Sequence, residues 1–222
     1  MTMNFLTFII NIRNLINFKN ITKYYKPCMK IAFFAAVPDE VGTFADHVNF
    51  TGIGRENATR AMIKFMEKHK DEDFTMLNIG SVGSHDKPVG TILSISEILS
   101  GSSLFYEEKM LPSRFDVKAD AQVPTATLYS SDCFVSPEVF TDAYLAATKS
   151  KVDCFDMESS VLVSFAHEYD KKYVSYKIVS DNLDVDIEVW KQRVQDLSKV
   201  LVAHIQQVLD ELGQNEKIEI LK

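Results

Sequence analysis

The residues able to do chemistry stand where the apolar runs of this chain stop. Residues 30–37 (KIAFFAAV) are halted by Pro38 and followed by Asp39 and Glu40, and residues 74–79 (FTMLNI) lead into Gly80, Ser81, Val82 and Gly83. Residues 125–130 lead into Ser131, Asp132, Cys133 and Phe134. Residues 173–180 end on Ser180, next to Asp181 and Asn182, and Asp156, Met157 and Glu158 precede a helical stretch. Carboxyl groups held in different surroundings can divide the work of a general acid and a general base. Each residue also has a plainer use. Glu40 can be a solvated loop acid, the glycines at 52, 54, 80 and 83 can shape turns, and Phe134 can fill core. Asp156 suits a helix N-cap and Glu158 a first helical turn. Asp181 is the hardest to set aside, because a carboxylate ending an apolar strand must be hydrogen-bonded, paired or protonated once buried.

The elements that would position these groups alternate along the chain. Continuous apolar runs at 30–37 and 74–79 predict buried strands, with further strands at 91–95, 125–130 and 173–180. Thr51, Gly52, Ile53 and Gly54 form a glycine turn into a helix whose apolar residues Ala58, Ala61, Met62, Phe65 and Met66 recur at helical spacing. Two more helices are predicted over 157–169 and 187–212, the second with a stripe of Trp190, Val194, Leu197, Leu201, Ile205, Val208 and Leu212. Strands alternating with helices predict an α/β sandwich, in which ligands bind at the carboxyl ends of the strands.

Composition narrows the partners. With 222 residues, 46% of them hydrophobic, the chain fits one domain with a full core, plus at most a short appendage. A net charge of -7 and a pI near 5.3 disfavour nucleic acid, whose backbone this surface would repel, and favour a small molecule. Cys28, Cys133 and Cys154 lack metal-ligand spacing, so reduced thiols and no metal are expected. Residues 1–28 hold no Ala, Gly, Val, Asp or Glu and suit no packed core. Their apolar stretch 5–12 is too short to span a bilayer and poor as a secretory signal, so no membrane partner and a cytoplasmic location are expected. The segment reads as an N-terminal extension outside the fold, from a misassigned start with Met29 the true one, or as a short amphipathic helix. The domain is expected to span 29–222.

In their order, the pieces resemble the nucleoside phosphorylase/hydrolase family, nearest to its 5′-methylthioadenosine/S-adenosylhomocysteine nucleosidases. MKIAFFAAVPDEV resembles the family's opening, TGIGRENAT its turn into the first helix, and NIGSVGS its ribose-side loop. SSDCFV, FDMESS and IVSDN are similar to its remaining site segments, and the last two form the most specific pair. The resemblance implies a three-layer α/β/α sandwich around a central mixed β-sheet, an enzyme without a cofactor, and a purine nucleoside as substrate. It matches Glu40 to the acid that activates water, with Asp39 as the alternative, and Asp181 to the acid that protonates the departing purine, with Ser180 beside it. Met157 and Glu158 match the pair under the sugar, Ser81 and Gly83 the sugar side, Phe134 the aromatic on the base, and Val135 its backbone contacts.

Water is the expected nucleophile. Phosphorolysis needs cationic donors, and where the family's phosphorylases carry an arginine before the Gly-Ser loop this chain has Asn78. Lys177 stands near a position where the nucleosidases often have Arg, and Ile187 or Trp190 would lid the 5′ substituent. The segments between Glu40 and Gly52 and between Tyr106 and Thr125 look shortened against the family. The resemblance also implies a homodimer, with Phe105 and Tyr106 as candidates for loan to the neighbouring site. A phosphate-dependent phosphorylase and a non-catalytic nucleoside-binding protein are the alternatives.

Overall fold

The computed structural model describes residues 28–100, 113–135, 152–214 and 217–222. The elements are β1 (Cys28–Ala35), β2 (Val48–Phe50), α1 (Arg55–His69), β3 (Thr75–Ser84), β4 (Ile92–Ser100), β5 (Ser113–Asp116), β6 (Thr125–Ser130), β7 (Cys154–Asp156), α2 (Ser159–Glu168), β8 (Lys172–Asp181), α3 (Ile187–Gly213) and β9 (Lys217–Ile220). They build the predicted α/β/α layers around a mixed nine-stranded sheet. β1 pairs in parallel with β2, β3 and β9, and its continuous apolar run is covered on both faces. Such double burial is why the run lacks alternation. On one side, Met62, Phe65 and Met66 of α1 and Leu162 and Val163 of α2 close the first core cluster. On the other, Leu201, Ile205 and Leu209 of α3 pack over Ile31, Phe33, Leu77 and Ile79.

Several features depart from the pattern read in the sequence. β3 does not stop at Ile79 but runs to Ser84, so the Gly-Ser stretch is strand and not loop, with a register shift between Val82 and Gly83. α2 begins at Ser159, after the short strand β7, which no periodicity announces. Between β1 and α1 lie two 3-10 turns, Pro38–Glu40 and Gly42–His47, and then β2. The sheet also closes on itself. β3 pairs with β8, β8 with β4, β4 with β6, β6 with β7, and β7 returns antiparallel to the end of β3 at Gly83 and Phe155. That ring turns the ends of several strands toward one point.

Among the described residues no helix is long and apolar enough to cross a membrane, and no cluster of His, Cys, Asp or Glu could hold a metal ion. Cys28, Cys133 and Cys154 are free thiols.

Candidate active site

One pocket gathers the segments that follow the strands, with about 740 Å³ of space free of atoms, part of it open to solvent. Glu40, Ser81, Gly83, Phe134, Val135, Met157, Glu158 and Asp181 all line it. Ser180 is not part of the lining. It is wholly buried, and its hydroxyl lies 3.1 Å from the Val82 carbonyl and 2.7 Å from Asp181 Oδ2.

Glu40 reaches the pocket because Pro38 opens a tight 3-10 turn directly after β1. Its Oε2 accepts from the Ala36 N–H at 3.0 Å, and its Oε1 accepts from both the N–H and the hydroxyl of Ser81 at 2.8 Å. The Ser81 hydroxyl in turn accepts from Trp190 Nε1 at 3.1 Å. Donors thus converge on Glu40, the surroundings that suit a carboxylate acting as acceptor. Glycine at 80 makes the seat possible, since a Cβ there would stand 2.9 Å from Glu40 Oε1. Asp39 turns the other way and accepts from Gln195 Nε2 at 3.0 Å on the surface.

Glu158 owes its aim to the start of α2. It occupies the N-cap position without capping with its side chain, because Asp156 accepts the Ser159 N–H instead. Freed from that task, Glu158 Oε1 accepts from the Gly54 N–H at 2.6 Å, 104 residues away in the glycine turn before α1. Gly54 has a φ of +87°, a backbone that side chains rarely adopt. Burial first, then the Asp156 charge and that of Glu40, push the Glu158 carboxyl up to about 8, against the opposing pull of the Gly54 N–H and Lys177.

Asp181 closes β8. Burial raises its pKa above the ordinary aspartate value, and the hydrogen bonds from Ser180 and from the Leu183 N–H at 2.9 Å only partly offset the rise. A carboxyl group so placed holds a proton more readily than one in water. On the facing side, Phe134 packs against Val185, Trp190 and Val194, while Val135 packs with Tyr129, Phe155 and Leu183. The apolar walls between these groups are completed by Ile53 and Ile187.

The chain belongs to the phosphorylase superfamily. The family model matches residues 47–212, so Glu40 lies just outside the matched stretch. Solved structures with the same fold include the 5′-methylthioadenosine/S-adenosylhomocysteine nucleosidase of Colwellia psychrerythraea 34H in complex with adenine, at a TM-score of 0.69 and 18% identity, covering 89% of this chain and 100% of that one. The corresponding Helicobacter pylori nucleosidase, complexed with butyl-thio-DADMe-Immucillin-A, superposes at 0.67 with 13% identity, covering 83% and 99%. The futalosine hydrolase of the same organism gives 0.67 and 13%, covering 82% and 98%. No curated protein sequence matches the chain.

Trp190 and Gly80 shape more of the pocket than their sequence context suggests. Trp190 belongs to the apolar stripe of α3 and is buried, yet it lines the pocket and holds Ser81, which its helical spacing alone could not announce. Phe105 and Tyr106 lie outside the described residues. The arginines of the described residues are all engaged: Arg55 with Asp132 at 2.9 Å, Arg60 with Glu56, Arg114 with Glu97, and Arg193 with Asp184 at 4.0 Å. Asn78 is buried and donates to Ser159 Oγ and the Tyr173 hydroxyl.

Proposed function

We propose that this member of the phosphorylase superfamily hydrolyses the N-glycosidic bond of a purine nucleoside, releasing the free base. The proposed substrate is an adenine nucleoside such as 5′-methylthioadenosine or S-adenosylhomocysteine. The observation that carries the reading is the contrast between two buried carboxyl groups in one pocket: Glu40 ringed by donors, and Asp181 pushed by burial toward its protonated form.

Cleaving the bond between the sugar carbon and the purine nitrogen leaves positive charge on the sugar and sends the bonding electrons to the base. Asp181 gives its proton to N7, so the base departs neutral. Glu40 takes a proton from the attacking water, whose oxygen bonds to the sugar carbon. The two carboxyl groups then exchange their protons back through solvent. The negative charge of Glu40 also favours the cationic transition state. Glu158 holds the sugar hydroxyls with Met157 beneath the ring, Ser81 and Gly83 line the sugar side, and Phe134 stacks on the base beside Val135. Ser180 braces Asp181 from behind. The division between acid and base parallels that of glycosidases. Water as nucleophile is supported by the neutral Asn78 where a phosphate-binding arginine would be needed, and by the prior engagement of the arginines.

Purified protein incubated with a panel of adenine nucleosides, with and without phosphate, tests the reading by release of free base. Release without phosphate is expected, strict dependence on phosphate would make the chain a phosphorylase, and binding without release would make it a binding protein. Asp181→Asn should lower release by roughly 10²- to 10⁴-fold, the usual range for losing a general acid. Full activity in that variant would overturn the role.

A further inference from the structure

Behind the wall formed by Asp156, Met157 and Glu158 lies an ion pair that the proposed chemistry does not use. Lys177 Nζ stands 3.1 Å from Asp156 Oδ2, with the two side chains only 4% and 2% exposed. Lys177 also donates to Asn78 Oδ1 at 3.3 Å, and Ser159 holds the same Asp156 carboxylate through its N–H and its hydroxyl. The network thus ties β3, β7, α2 and β8 together directly beneath the pocket.

A buried ion pair contributes little net stability over apolar residues of the same size, because removing both charges from water offsets their attraction. Its field on neighbouring groups, poorly screened in the interior, is then its main consequence. The groups that face the pair are Glu158 and Glu40 at the pocket, Tyr173 on β8 and the Cys154 thiol on β7. Burial works against the charge of Lys177, but Asp156 and Glu40 more than offset it, so Lys177 stays an ammonium ion.

We infer that Lys177 is a positioning residue. With Asp156 it fixes how many buried carboxyl groups around the pocket carry charge, and so whether Glu158 meets a sugar as a carboxylate or as an acid. The two halves act on Glu158 in opposite directions, Asp156 raising its affinity for a proton and Lys177 lowering it. Asp156 is the stronger of the two, so the pair as a whole favours the protonated form and Lys177 limits how far. The bearing on sugar binding rests on the proposed nucleosidase reading, whereas the charge balance does not.

The titration of Glu158, followed by NMR of carboxyl-labelled glutamate and assigned with Glu158→Gln, tests this directly. The unaltered protein should show a midpoint near 8. Lys177→Met should move that midpoint up, and Asp156→Asn down, each by about one pH unit, the scale set by a nearby buried charge. The double variant should fall by less than Asp156→Asn alone, and Lys177→Arg should stay within about half a unit of the unaltered value. A midpoint unmoved by both single changes, or moved the same way by both, would overturn the inference. If the single variants fail to fold, as near-UV circular dichroism would reveal, the double variant and Lys177→Arg still decide: a midpoint that rises in the double variant, or moves by about one unit in Lys177→Arg, refutes the role of the pair. Purine release measured on the same samples separates the two readings. Midpoints that move as stated without any release refute the hydrolase and keep the role of the pair; release with fixed midpoints does the reverse.

Discussion

Glu158 is held toward its protonated form by its surroundings. It is buried beside Asp156 and within the field of Glu40, and only the Gly54 N–H and Lys177 favour its charged form. Its folded pKa of about 8 lies above the ordinary glutamate value of 4.5, so the folded state binds this proton more tightly than the unfolded chain does. The stabilisation it brings is complete below the unfolded value and disappears as the pH rises through the folded one. Thermal melts of the ligand-free protein should therefore fall steadily between about pH 5 and pH 8. Glu158→Gln should flatten that slope, and an unchanged slope would contradict the assignment. At this scale Asp181 was legible in the residues themselves, because a carboxylate ending an apolar strand demands an explanation, whereas Glu40 and Glu158 had plainer uses and were singled out by the family resemblance. Trp190 was legible only through the resemblance, as one of two lid candidates, since a residue on an apolar helical stripe looks the same whether it faces core or pocket. The inward turn of Ser180 was not legible, as it depends on the pleat of β8 and not on residue type.

The elements act through close backbone approaches. Gly80 lets the carboxylate of Glu40 lie against β3, and Gly83 does the same for Leu183 and Asp181, where a Cβ would come within 2.6 Å of Leu183 Cδ2. Gly80→Ala should displace Glu40 without unfolding β3, lowering purine release by about 10²-fold, as misplacing a reacting group by about 1 Å does. Circular dichroism should stay native while the rate falls, and a fully active variant would mean that Glu40 is not held where its chemistry requires. β1, α1 and α3 were plain in the sequence because their apolar spacing is long and regular. β7 and β9 were not, being so short that pairing partners, and not any pattern of their own, define them. The same reason hid the closure of the sheet, which depends on β7 meeting β3.

For the whole molecule, the proposed domain boundary at Met29 can be tested by shortening the chain. Met29 packs against the second core cluster, while Cys28 is exposed, pairs opposite Lys217 and donates its thiol to Glu219 Oε2 at 3.7 Å. We expect a chain that begins at Met29 to keep its melting temperature within about 2 °C, the shift typical of losing minor surface contacts. Purine release from that shorter chain should be unchanged, and a drop of about tenfold, about 1.4 kcal/mol in the barrier, would assign the preceding residues a part in the domain. The return of β7 to β3 has a further consequence, in time and not in space. Gly83 and Phe155 are far apart along the chain, and contacts between such distant residues form slowly because a long loop must first be closed. Asp156 and Glu158 cannot face Glu40 and Ser81 until that junction is made. We expect a refolding chain to regain ligand binding no earlier than the closure of this junction.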